Sequence, residues 1–176
     1  PAEFATGVYD TLVQAGADFN LKNVGMHAMN SLRMEKAYRH WGHDIADEDT
    51  PVEAGLGFAV AWDKPGGFIG KEALEEQRQN GVTKRLVQFA LDDPEPLLYH
   101  NEPIWRGDAI VGHITSGMFG HALGKSLGMG YVEDDGGVDE EFVNSGVYEI
   151  EVACERFPAT ASLRPFYDPK SERIKA

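Results

Sequence analysis

Lys71-Glu-Ala-Leu-Glu-Glu-Gln-Arg-Gln-Asn-Gly81-Val-Thr-Lys84-Arg-Leu-Val-Gln-Phe-Ala-Leu91 is the stretch on which the chain divides. Residues 71–80 are strong helix formers, with acids early and an arginine late to complement the helix dipole, and Gly81 supplies a stop. After Gly81 the texture changes to short apolar runs of strand length. Residues 84–91, 102–104, 109–115, 126–132, 147–155 and 159–164 all read as strands punctuated by Gly, Asp and Asn. Such spacing predicts a small antiparallel barrel or sandwich beyond a boundary near residue 81. The fold class is α+β, with units at 1–80 and 81–176.

Working upstream, Phe4, Val8, Leu12 and Val13 fall on one helical face that ends at Gly16. Met26, Met29, Leu32, Met34, Ala37 and Trp41 recur at helical spacing and predict a second helix from Gly25 to Trp41, its methionines filling core gaps. An acidic loop follows at 44–51. Residues 56–62 alternate and read as a strand, and Lys64-Pro65-Gly66-Gly67 reads as a turn.

The chain has 176 residues, with 16 Lys and Arg against 29 Asp and Glu, a net charge of −13. This surplus repels phosphate backbones and anionic lipids, so neither nucleic acid nor a membrane surface is an expected partner. A single cysteine, Cys154, forms no internal disulfide and suits a reducing compartment, the cytoplasm or a mitochondrial matrix. No apolar run reaches the roughly 20 residues a bilayer span needs. The start at Pro1, almost directly on a helical pattern, reads as a cut, so the chain is treated as a fragment of a longer protein.

Few motifs carry chemistry. His40 and His43 lie three apart beside Asp44, but Gly42 interrupts the helix and no second ligand pair exists, so no metal site is expected. His113 and His121 are weaker still as ligands. Cys154 sits in an alternating run and reads as a buried, inert thiol. Gly-Lys-Ser at 124–126 resembles a phosphate loop, yet Phe119 stands where that motif needs glycine, so the glycines of 112–128 are read as enabling turns and close strand approach. Arg33 and Glu35 are two apart and diverge around their helix, so they do not form a helical ion pair. Arg33 lies at the edge of the apolar face, where two roles stay open: clamping a ligand carboxylate or heterocycle, or pairing with an interior carboxylate.

Several segments in order resemble one family. These are Ser31-Leu32-Arg33-x-Glu35, Gly42-x-Asp44, Thr50-Pro51-x-Glu53-Ala54-Gly55-Leu56, Phe68-Ile69-Gly70-Lys71-x-Ala73-Leu74, Val111-Gly112-His113-Ile114-Thr115-Ser116-Gly117 and Pro165-Phe166-Tyr167-Asp168-Pro169. Together they resemble the glycine-cleavage T-protein (aminomethyltransferase) family of tetrahydrofolate-binding proteins. The run Leu32-Arg33-Met34-Glu35-Lys36-Ala37-Tyr38-Arg39-His40-Trp41 is similar to the carboxy-terminal region of sarcosine and dimethylglycine dehydrogenases.

The resemblance implies that 1–80 is the end of a T-protein-like folate-binding domain and 81–176 the family's carboxy-terminal barrel. It also implies tetrahydrofolate as co-substrate, bound near Arg33, with Tyr38, Trp41 and Asp44 beside it. The catalytic aspartate, the FAD and the remainder of the folate site would lie in amino-terminal portions outside this chain, which would be the chain's partners. In such enzymes the amine is oxidised at the flavin and folate takes up the one-carbon unit as 5,10-methylenetetrahydrofolate. A stand-alone aminomethyltransferase, a folate-dependent demethylase and a non-catalytic docking module are the alternatives.

Overall fold

The structure, a computed structural model, describes residues 1–175. Its second half is a closed six-stranded barrel built from β1 (Lys84–Leu91), β2 (Pro103–Arg106), β3 (Ala109–Gly120), β4 (Lys125–Glu133), β5 (Tyr148–Val152) and β6 (Glu155–Ser162). The strands run antiparallel in the order β1-β4-β3-β2-β5-β6 and close through β1 and β6. Of the two architectures the spacing allowed, the barrel is the one formed. Closure leaves no unpaired strand edge.

Alternation along β1 decides where the core lies. Val87, Phe89 and Leu91 point into the barrel with Leu98, Ile104, Ile114, Val132 and Ile150. Leu86 and Ala90 point outward, into a second cluster with Met34, Ala37, Leu127, Met129 and Tyr131. β1 is thus buried on both faces, which is why its sequence is nearly continuously apolar. Gly112 and Gly130 sit where strands press together: a Cβ on either would run into the carbonyl of Tyr131 or His113 on the paired strand. The glycines of this region do permit close strand approach.

Against the outer face packs α2 (Met26–Glu35), which rests on β3 and β4. It is preceded by α1 (Ala5–Gly16), and α3 (Lys71–Asn80) leads into β1. Gly70 and Gly81 flank α3 in positive-φ conformations. A short α4 (Glu140–Ser145), not anticipated from sequence, buries Val143 in the barrel core.

Four expectations are corrected. The second helix stops at Glu35 rather than Trp41, because Ala37 turns left-handed and the N–H groups of Ala37 and Tyr38 return to the carbonyls of Met34 and Arg33, a Schellman stop. Met26 and Met29 are exposed, so Met34 alone of the three fills the core. Residues 56–62 form no strand: Thr50 and Glu53 exchange reciprocal side-chain bonds to each other's backbone N–H, winding a helical turn that continues into a 3-10 turn at Gly57–Ala59. Cys154 is exposed, because the β5–β6 turn falls on Ala153 and Cys154 and ends the alternation there.

The acidic loop is held by β1, where Lys84 reaches Asp49 at 2.6 Å and the Leu86 N–H donates to the Glu53 carbonyl. The carboxy-terminal segment is held by α2. Lys36 Nζ donates to the Asp168 carbonyl at 2.6 Å and lies 3.4 Å from its carboxylate. Burial pushes the Asp168 carboxyl up, but the Glu172 N–H, the Lys36 charge and the Arg173 N–H together hold it below its ordinary value. A carboxyl depressed on folding adds stability that is present above its unfolded pKa of about 4 and is lost as pH falls through the folded value. Asp168→Asn is expected to lower the thermal midpoint at pH 7 and to flatten the loss of stability below about pH 4, read by thermal melts across a pH series.

Candidate functional site

The end of α2, the loop after it and strand β3 converge on one carboxylate. Asp44 is 0% exposed. Its Oδ2 accepts from Arg33 Nη1 at 2.8 Å and from the His40 backbone N–H at 2.8 Å, and its Oδ1 accepts from the Thr115 hydroxyl at 2.7 Å. The Schellman stop makes this possible, since a helix continued to Trp41 would carry residues 40–44 away from β3.

Arg33 projects from the last turn of α2, and its side chain is 14% exposed. Nε donates to Asn30 Oδ1, Nη1 to Asp44 and to the Tyr38 carbonyl, and Nη2 to the Ser116 hydroxyl. Of the five guanidinium N–H groups, four are engaged within the protein and one on Nη2 has no partner among the described residues. Glu35 faces away and accepts from the Ala122 N–H, so the two residues diverge as their spacing requires.

Arg33 and Asp44 are therefore brought into direct contact. Apart from the Tyr38 carbonyl, Tyr38 and Trp41 take no part in that contact; they lie beyond the helix end with 54% and 67% of their surfaces exposed. Tyr38 borders a cleft of about 450 Å³ that also includes Lys36, Arg39, Phe58 and Arg164. Burial lowers the Arg39 pKa, partly offset by the nearby Asp44 carboxylate. His40 and His43 stack ring on ring at 4.7 Å between centroids, and among the described residues no group of three or more His, Cys, Asp or Glu could hold a metal.

Reading by residue type missed Asn30, Thr115 and Ser116 as partners of this pair. Their signal was Thr115-Ser116 within the family-like segment 111–117, where hydroxyls on successive residues of a strand point to opposite faces unless the register shifts. It does shift here, with an irregularity between Ile114 and Ser116 that lets both hydroxyls serve the same pair.

Removing one member of a buried ion pair leaves the other uncompensated. Asp44→Ala is expected to destabilise the fold by about 3–5 kcal/mol, measured from the denaturant midpoint with the slope of the transition unchanged.

Residues 1–64 match the GCVT N-terminal domain, and residues 84–168 match the glycine cleavage T-protein C-terminal barrel domain. The chain is 44% identical to 4-methylaminobutanoate oxidase (formaldehyde-forming) of Paenarthrobacter nicotinovorans, over 99% of this chain and 20% of that protein. It is 40% identical to mitochondrial sarcosine dehydrogenase of Homo sapiens, over 99% of this chain and 19% of that protein. The chain thus spans about a fifth of the length of these relatives. In fold it matches the glycine cleavage system aminomethyltransferase T of Bartonella henselae with a TM-score of 0.77 at 24% identity, covering 96% of this chain and 45% of that one. The two family models, met in order along most of the sequence and on a helical unit followed by a closed barrel, make this chain a member of the glycine cleavage T-protein family.

Proposed function

We propose that this chain is the folate-side, carboxy-terminal part of an FAD-dependent N-methylglycine (sarcosine or dimethylglycine) dehydrogenase-like enzyme that passes a one-carbon unit to tetrahydrofolate. The observation that carries the reading is end-to-end similarity to a formaldehyde-forming oxidase and a sarcosine dehydrogenase, on residues that also match both T-protein domains. FAD supplies amine oxidation and tetrahydrofolate supplies the one-carbon acceptor, the flavin being held by polypeptide outside this chain. The enzyme works in the cytoplasm or a mitochondrial matrix, a reading supported by the mitochondrial sarcosine dehydrogenase among the relatives.

The role of this chain's residues follows from their donors. A protein with a net charge of −13 opposes an anionic folate at long range, so binding needs local donors. Arg33 offers its remaining Nη2 proton to folate, while Asp44, shut from solvent, orients the guanidinium without touching the ligand. Tyr38 and Trp41 present exposed ring faces on which a heteroaromatic ligand can stack. Phe4 just before α1, Val8 and Leu12 on α1, and Met26, Met29 and Leu32 on α2 leave apolar surface uncovered. The upstream part of the folate-binding domain covers it, in keeping with the small share of each relative that this chain spans.

A second reading, docking without folate chemistry, draws on the near-complete engagement of Arg33 inside the protein. Arg33→Lys in the full-length parent separates the two, because it keeps a charge opposite Asp44 and removes the planar fork. A folate role predicts affinity for tetrahydrofolate weaker by about 10-fold or more, with substrate-driven flavin reduction unchanged. Unchanged affinity together with a lower denaturation midpoint supports docking alone. The isolated 176-residue chain is expected to form no one-carbon-loaded folate from an amine substrate, assayed by chromatography of the folate products.

A further inference from the structure

The loop from Trp41 to Ala46 carries two parts of the proposed ligand site, the Asp44 carboxylate behind Arg33 and the exposed ring of Trp41. Asp44 is fastened directly by Arg33 and Thr115, but those bonds do not reach the stretch that directs Trp41. Trp41 and Ile45 instead pair as a short parallel bridge, and the Gly42 N–H donates to the Ile45 carbonyl at 2.8 Å. The next residue, Ala46, donates its N–H to Asp49 Oδ2 at 2.8 Å, and the Asp49 N–H returns to the Ala46 carbonyl at 3.3 Å. Residues 46–49 are thus closed into a turn. The other oxygen of the same carboxylate, Oδ1, takes the Lys84 ammonium at 2.6 Å.

Lys84 is the first residue of β1 and stands opposite Glu133 of β4, so its backbone is set by the barrel ladder. Its contact with Asp49 is more than a loose surface pair. The two side chains are 27% and 9% exposed, which leaves water and salt less able to screen them. Lys84 Nζ also lies 4.5 Å from the centroid of the Tyr131 ring, a second attraction that narrows where the ammonium can go. Burial lowers the Lys84 pKa, but Asp49, Glu53 and Glu133 more than offset it and hold the group above its ordinary value, so it is charged at neutral pH. A rigid strand, one half-buried cation and one carboxylate with both oxygens engaged therefore run from the barrel to the foot of the Trp41–Ile45 bridge.

We propose that Lys84 and Asp49 are positioning residues for the ligand site: they anchor the Trp41–Ile45 bridge to the barrel, and so fix the direction of the Trp41 ring, without either of them touching the ligand. With tetrahydrofolate as that ligand, the proposal rests on the function proposed above; the tie from barrel to loop belongs to this chain whatever the ligand is. A stacking face contributes to affinity only when its plane is held where the ligand meets it, and that support comes from residues behind the contact.

The test uses the full-length polypeptide that carries this chain, titrated with tetrahydrofolate by calorimetry. Lys84→Met removes the ammonium and keeps the stem beside Tyr131, and is expected to weaken tetrahydrofolate binding about 10-fold. Lys84→Arg keeps the charge and is expected to recover most of that loss, which a loss of packing would not. In a Trp41→Ala background the same Lys84→Met change is expected to add little, because both act on one ring. Hydrogen exchange reads the tie without any ligand: the Gly42 and Ala46 amides are expected to exchange faster in Lys84→Met while the β1 and β4 amides stay as slow as in the parent. Should Lys84→Met not fold, Asp49→Asn carries the same binding measurements, since it removes the charge opposite Lys84 and keeps an acceptor for Ala46. Unchanged tetrahydrofolate affinity in a folded variant, or a loss just as large in the Trp41→Ala background, overturns the positioning role. A parent that binds no tetrahydrofolate overturns the folate reading instead, and amides at 42–46 that the variant leaves unaltered then overturn the tie itself.

Discussion

A carboxylate shut away from water must be met by donors, and Asp44 is met from three directions. Arg33 comes from α2, the His40 N–H from the loop after it, and the Thr115 hydroxyl from the barrel. The helical unit has little apolar surface turned toward the barrel beyond Met34 and Ala37, so polar contacts carry much of the joint between the two. Ser31 to the Phe119 carbonyl, Gln88 to the Met34 carbonyl and Lys36 to Asp168 extend the same seam on either side. Taking away one charge here costs far more than the pair contributes against a well-packed apolar replacement, because the partner stays buried.

The barrel makes the other half of the arrangement. A strand buried on both faces needs a neighbour on each, and β1 finds the barrel interior on one side and α2 on the other. Closure through β1 and β6 holds the outer face of β1 in a fixed position against Met34 and Ala37, and the Arg33 cluster is assembled against the irregular stretch of β3. The outer face of β1 seats Met34 and Ala37 through Leu86 and Ala90.

Much of the fold was legible in the linear chain. β1 and α3 fall on the residues their patterns indicated, because periodicity and glycine stops are local properties. The pairing of helix with strand texture on either side of Gly81 was equally local. The errors share a cause. Residues 36–41 have helical spacing but lose their helix to a left-handed Ala37, and 56–62 alternate but have no strand beside them to pair with. Cys154 alternates with Val152 in sequence while the chain is already turning back on itself. In each case a pattern of side chains was right and the backbone route was set by contacts from elsewhere.

The candidate site divides in the same way. By itself the sequence determined the family, a second half built of antiparallel strands and the order of most elements, and it singled out Arg33 and Asp44 as candidates, since these reside in motifs and periodicities that need no third dimension. Only the tertiary structure decided that these two residues face each other, that Asp44 is shut from solvent while Tyr38 and Trp41 are exposed, and that four of the five N–H groups of Arg33 are engaged within the protein. Burial and direction belong to neighbours brought together across 71 and 83 residues of chain, as from Asp44 to Thr115 and from Arg33 to Ser116, and spacing along a single segment carries no information about either.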